Sequence, residues 1–239
     1  MKRRIVLVLL FCTLFAIAAE SKDFYLLSVG ISDYPGTQND LNLPTADAEA
    51  ISSLYKTCSN AHTVLLLNKN ATRANILNEA RLLYQKAKAQ DVIIFFFSGH
   101  GSSGCFCAYD GNLKYSELRD VFASCKSKSK IIFADACHSG GMRQGGHTGQ
   151  HNLGSDIMLF LSCRGNEYSI ERKSMKNGYF TACLVRCLKG GADVNKDRII
   201  TAKELFNATS KGVIKLSQDK QHPVMWGNFD DDMPVINWN

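Results

Sequence analysis

Two short stretches carry side chains capable of covalent chemistry. FFFSGHG (95–101) brings His100 between two glycines, and FADACHSGG (133–141) carries Cys137. Each follows an apolar run of the kind that forms a buried strand. They lie 37 positions apart, enough for one helical crossover between neighbouring parallel strands. A thiol becomes a nucleophile when a nearby base takes its proton, and the tetrahedral oxyanion it creates needs N–H donors. Gly101 follows the histidine, and Gly140 and Gly141 follow the cysteine, so the backbone at both tips can approach a substrate closely. His138 is next to Cys137 in sequence, but adjacent side chains of an extended segment face opposite ways. Alone, Cys137 would read as a core thiol and His100 as a capped strand-end imidazole. Their pairing at two strand tips is what sets them apart.

The elements that must position them follow from the pattern of apolar residues. Segments 24–31, 62–68, 91–98, 130–136 and 156–163 read as buried strands. Segments 46–58, 71–89, 116–125, 179–190 and 201–216 read as helices, the second with a stripe of Ile76, Leu77, Ala80, Leu83 and Tyr84. Apolar strands alternating with helices predict an α/β fold, a mostly parallel central sheet with helices on both faces. In such a sheet ligands bind beyond the carboxyl ends of the strands, where both reactive residues fall. The segment HSGGMRQGGHTGQHNLGS (138–155) is polar, glycine-rich and long, which predicts a functional or flexible loop.

The whole chain has 239 residues, 45% of them hydrophobic, material for one sizeable core. MKRR followed by the apolar IVLVLLFCTLFAIAA (5–19) has the layout of a secretory signal. Cleavage is expected after Ala18, with Ala19 as the alternative. The run is shorter than the about 20 residues that span a bilayer, and LLFC lacks the small residues that precede a lipidated Cys12. The expectation is an exported protein, periplasmic or secreted, without a membrane anchor once residues 1–18 are removed. Those residues contain Lys2, Arg3 and Arg4 and no acid, so the net charge of +6 falls to +3. That balance gives no reason to expect a nucleic-acid partner. The remaining cysteines, at 58, 105, 107, 125, 137, 163, 183 and 187, lack the spacing of a stapled mini-domain, and most read as small buried apolar groups.

SGHG followed by DACHSG resembles the catalytic signature of the metacaspases, caspase-like cysteine peptidases of bacteria, plants and protists. The resemblance extends to LLSVGISDY, LPTADAEAISSLY, EYSIE with GYFTACLVRCLKGGADVNKDRIITAKEL, and QHPVMWGN, and covers roughly residues 24–229. It implies a caspase-like peptidase domain over 22–239, with a large-subunit-like part (22–143), the loop 138–155 and a small-subunit-like part (156–239). It implies Cys137 as nucleophile, His100 as general acid and base, and the N–H groups of Cys137 and Gly101 as oxyanion donors. Asp135, Ser98 and Asp47 match the pocket that takes the residue before the cut and selects Arg or Lys. The match at Asp47 has shorter spacing than the family pattern. Side-chain alternation agrees, since 135 and 137 share a side, as do 98 and 100. A second reading of Asp135 is a strand-end acid capping local N–H groups.

The expected substrate is therefore a peptide or protein with Arg or Lys before the cut. Arg143, in the flexible loop, matches that specificity and is the expected site of self-cleavage. Caspases dimerise through their sixth strands. The closing segment here is short and acidic at Asp230, Asp231 and Asp232, so a monomer is expected. Two other functions fit the same residues: a silent caspase-like scaffold, and a thiol amidase acting on a non-protein envelope substrate.

No cofactor is required by this chemistry. DVNKDRIITAKE (193–204) matches a calcium loop at Asp193, Asn195, Asp197 and Glu204, but Arg198 occupies its glycine position. Thr201 and Glu204 also form a capping box, which accounts for Glu204 without a metal. The short SSGCFCAYDG after the histidine carries only Asp110, which weakens the calcium site some metacaspases have there. His147 and His151 are four apart, but the glycines around them disfavour the helix a zinc pair would need.

Overall fold

The computed structural model describes residues 22–102, 104–136, 157–164, 169 and 175–238. The expected signal (1–18), Cys137 and the loop 138–155 with Arg143 lie outside the described residues. Among the described residues, no helix is long and apolar enough to cross a membrane.

The apolar runs form the strands β1 (Phe24–Gly30), β2 (Ala61–Leu67) and β3 (Val92–Gly99). They alternate with α1 (Pro44–Tyr55) and α2 (Arg73–Tyr84). A three-stranded antiparallel sheet follows, β4 (Gly101–Ser102), β5 (Cys105–Ala108) and β6 (Gly111–Lys114), where the sequence shows a hairpin-like segment. Then come α3 (Tyr115–Ala123), β7 (Ser129–Ala136) and β8 (Ile157–Leu161). The chain closes with α4 (Tyr179–Arg186), β9 (Ile199–Thr201), α5 (Ala202–Ser217), β10 (Val224–Trp226) and β11 (Pro234–Asn237). A π-helical turn, Cys187–Gly191, extends α4 and is broken inside at Gly190, whose φ is +102°.

Six strands make the main sheet in the order β10-β8-β7-β3-β1-β2. Five run parallel, and β10 pairs antiparallel to β8 at the edge. Period-two alternation divides the apolar side chains between two cores. Tyr25, Leu27, Phe95, Phe97 and Ile132 pack on one face with α2 and α3. Phe24, Leu26, Ile94, Phe96 and Phe133 pack on the other with α1, α4 and α5. The expected α/β architecture, covered on both faces, is the one observed. Helix bounds differ from the sequence reading. Thr72 caps α2 by accepting the Asn75 N–H at 3.2 Å, and α2 ends at Tyr84 rather than 89. The β9–β11 pair has no counterpart in the sequence reading, because three- and four-residue strands are too short to show a period.

Candidate functional site

After β1 the chain turns to β2 on one side, then returns through α2 to β3 on the other. The crevice beyond the carboxyl ends of β1 and β3 is therefore the topological switch point of the sheet. Gly30 closes β1 there. A Cβ at that position would fall 2.3 Å from the Pro44 carbonyl oxygen, so glycine lets the start of α1 sit directly over the strand ends. Asp47, in the first turn of α1, is delivered to the crevice as a result.

Ser98 and Asp135 are Cα partners across β3 and β7. Their parity matches Ile94, Phe96, Ile131 and Phe133, so both side chains project on the α1 and α4 face. Ser98 Oγ donates to Asp47 Oδ2 at 2.9 Å. Asp47 Oδ1 accepts from Asn177 Nδ2 at 2.9 Å and from the Gly178 N–H at 3.1 Å. Asp135 Oδ2 accepts from the Thr181 hydroxyl at 2.7 Å and the Thr181 N–H at 3.2 Å, and Ser169 donates to its other oxygen. Asp47 is 1% exposed and Asp135 6%. Burial pushes both carboxyls above their ordinary range, and for Asp47 the neighbouring Asp135 charge adds to the rise. Two buried carboxyls that feel each other's charge hold a proton strongly.

These groups line a pocket of about 240 Å³, whose wall also includes Leu41, Pro44, Gly178 and His100. Gly178 is required by proximity, since a Cβ there would lie 2.8 Å from Asp135 Oδ2. The three pocket residues expected from sequence thus come together. Asp135 accepts a backbone N–H, as a capping acid would, but the donor is Thr181 of α4 and not a local group of its own strand.

His100, just past β3, is held on three sides. Its Nε2 lies 2.8 Å from the Asn39 carbonyl oxygen. A carbonyl only accepts, so Nε2 carries a proton, and in the neutral imidazole that leaves the lone pair on Nδ1. Its backbone N–H donates to the Tyr34 hydroxyl at 3.0 Å, and its carbonyl accepts from the Cys107 N–H at 2.9 Å. The Tyr34 ring packs against the imidazole with centroids 4.9 Å apart. Gly99 makes room for this, because a Cβ there would fall 2.6 Å from the Tyr34 hydroxyl. Gly101 opens β4 beside the imidazole. Ala136 of β7 pairs with Gly99, and Cys137 is the next residue in the sequence.

Sequence reasoning missed Asn39, Tyr34, Asn177, Gly178, Thr181 and Ser169. Asn39 acts through its backbone carbonyl, which leaves no trace in residue type. Gly178 and Thr181 belong to the GYFTACL stretch, whose glycine directly before a helix was the available signal.

The calcium-loop candidates lie apart from this crevice. Asp193 Oδ2 accepts the Arg198 N–H at 3.1 Å, and Asp197 Oδ1 accepts the Ile199 N–H at 2.8 Å. Asn195 accepts the Asp197 N–H and donates to the Asp197 carboxylate. Arg198 takes a left-handed φ of +66° at the place where the template wants glycine. Glu204 accepts from the Thr201 N–H and hydroxyl and closes the capping box. Among the described residues, no three or more His, Cys, Asp or Glu gather as a metal site. No disulfide joins the cysteines among them, and all but Cys107 are buried.

The model of the caspase-domain family matches residues 25–233. No curated protein matches the chain. The crystal structure of the Geobacter sulfurreducens protein GSU0716 superposes with a TM-score of 0.67 at 18% identity, over 88% of this chain and 95% of the other. That likeness is one of fold.

Proposed function

The chain belongs to the caspase-domain family, cysteine peptidases that act on peptide bonds, and from that premise we propose that it is a metacaspase-like endopeptidase cutting after Arg or Lys. The observation that carries the specificity is the buried Asp47–Asp135 pair lining the pocket that His100 borders. A guanidinium or ammonium entering there meets two carboxylates with little competing solvent, where charge pairing is strongest. An aspartate side chain would meet only like charge.

In the proposed reaction His100 Nδ1 takes the Cys137 thiol proton, and the sulfur attacks the scissile carbonyl carbon. The Asn39 carbonyl holds the imidazole in the tautomer this requires and stabilises the imidazolium that forms. The N–H groups of Cys137 and Gly101 receive the oxyanion. The C–N bond then breaks, and the leaving amine takes the proton from His100, leaving a thioester on Cys137. Water attacks the thioester, gives a proton to His100, and the thiolate leaves and is reprotonated. Every group named belongs to this chain, and the step needs no metal or cofactor.

Self-cleavage after Arg143 follows from the same specificity if the loop reaches the crevice. The purified protein incubated with fluorogenic peptides ending in Arg, Lys or Asp tests the proposal. Release after Arg and Lys is expected, and release after Asp alone would overturn it.

A further inference from the structure

His100 borders two cavities. One is the acidic pocket described above. The other, about 390 Å³, lies against Tyr34, Pro35, Asn39, Gly101 and Cys107. We propose that this second cavity receives the side chain of the residue after the cut, and that it selects an uncharged apolar group. The inference rests on the endopeptidase reading above.

The argument begins with the imidazole. In the step that breaks the C–N bond, the group that protonates the leaving nitrogen must lie within hydrogen-bond reach of it. The leaving residue therefore passes beside His100, while the residue before the cut is committed to the carboxylate pocket. Asp47, Ser98, Asp135 and Gly178 line only the acidic cavity; Tyr34, Pro35, Asn39 and Cys107 line only the other. His100 is the shared wall. A substrate with one side chain in each cavity has its scissile bond at that wall.

The lining sets the chemistry. It offers a tyrosine ring, a proline ring, a half-buried thiol and the polar Asn39; among the described residues, it carries no Asp, Glu, Lys or Arg. A charged side chain entering it would lose water without gaining a partner. An apolar one would displace water from the two rings and the thiol.

The cavity is also mechanically tied to the general acid. The Tyr34 hydroxyl donates to the Cys107 carbonyl at 3.0 Å and accepts the His100 N–H at 3.0 Å, while the Cys107 N–H donates to the His100 carbonyl at 2.9 Å. These three bonds close a ring through the wall of the cavity and the backbone that carries the imidazole. The wall is thus pre-formed, which lowers the cost of ordering it around a ligand.

The test uses internally quenched peptides with a fixed Arg before the cut and Gly, Leu or Asp after it, with mass spectrometry locating each cut. For the wild type, kcat/KM is expected to be about tenfold or more higher for Leu than for Gly, the scale one side chain commands in an apolar pocket, and lowest for Asp. Cys107→Trp fills the cavity and should drop the Leu-to-Gly ratio towards one. Equal rates for Leu, Gly and Asp, or a preference for Asp, would overturn the subsite on the wild type alone, whether or not the variant folds. A folded Cys107→Trp that keeps the wild-type ratio would overturn it too. Cleavage of none of the three peptides would overturn the endopeptidase reading along with it.

Discussion

Asp47 and Asp135 come from different elements, a helix and a strand, and line a single pocket as two buried carboxyls with separate sets of donors. Ser98, Asn177 and the Gly178 N–H serve the first, and Thr181 and Ser169 the second. Neither has a basic side chain among these partners. Burial raises the proton affinity of both, and for Asp47 the charge of Asp135 adds to it.

Removing one of the two should weaken basic substrates selectively. Asp135→Asn is expected to raise KM for Arg peptides, since losing one partner of a desolvated ion pair costs about 2–5 kcal/mol. The loss should fall mainly on KM and less on kcat. Initial rates over a range of substrate concentrations separate the two. An unchanged KM would remove Asp135 from substrate recognition.

Cation binding should release a proton. Asp47 is pushed up to about 8, first by burial and then by Asp135, so near neutrality the pair keeps a proton that an arginine side chain must expel. Affinity for an Arg-containing peptide should rise with pH up to about 8. Titration calorimetry of the Cys137→Ala variant in buffers of different ionisation enthalpy should show roughly one proton released per ligand at pH 6–7. The folded-state value lies above the unfolded one, near 4. Its contribution to stability is therefore complete below about pH 4 and is lost as pH rises through about 8. The Tm of Asp47→Asn should accordingly gain on the wild type across that window.

Gly178→Ala should close the pocket from its rim. The new methyl group would lie 2.8 Å from Asp135 Oδ2 and 3.4 Å from Asp47 Oδ2, so a carboxylate or the start of α4 must move. Overpacking of this kind costs about 1–3 kcal/mol. A lower Tm together with a higher KM for Arg peptides is expected, with circular dichroism showing a retained fold.

Cys137→Ala should abolish hydrolysis and leave Tm within a degree or two. His100→Ala should reduce the rate about a hundredfold to ten-thousandfold, the usual scale of a lost general acid–base group. Single-turnover assays with an Arg peptide measure both. Wild-type rates in the alanine variant at 137 would transfer the chemistry elsewhere.

Self-processing has a distinct signature. Intact-mass measurement of the wild type should show a fragment ending at Arg143 and another beginning at Gln144, both missing from Cys137→Ala. One intact chain in both proteins would exclude the event. The same cut in both would assign it to another protease.

The sheet was legible because its strands are apolar on both faces, and VIIFFFSG and KIIFADA leave little alternative. The pairing of Ser98 with Asp135 was legible from parity alone, since each lies two residues before a reactive one. Asp47 was harder. It reaches the pocket because Gly30 lets α1 approach the end of β1, a distance no spacing rule encodes. Tyr34 and Asn39 lie in an irregular stretch after β1, where position depends on the whole loop path. Thr181 and Gly178 arrive from α4, over 40 residues beyond Asp135, and only the tertiary packing brings them together.

The contact between His100 and the Asn39 carbonyl has a consequence for how this site can be dissected or altered. Many imidazoles are held by an acid side chain that a codon change can delete. His100 is held by a main-chain oxygen that every residue type supplies. An alanine at position 39 would keep that oxygen and remove only the bond from Asn39 Nδ2 to the Pro35 carbonyl, 3.1 Å long, that helps hold the loop's path. The vulnerability lies instead in the loop's length and its turns, among them the Asp40 N–H bond to Thr37 and the Tyr34 N–H bond to the Asp40 side chain. Insertions, deletions and prolines are the changes that would reach the imidazole of His100.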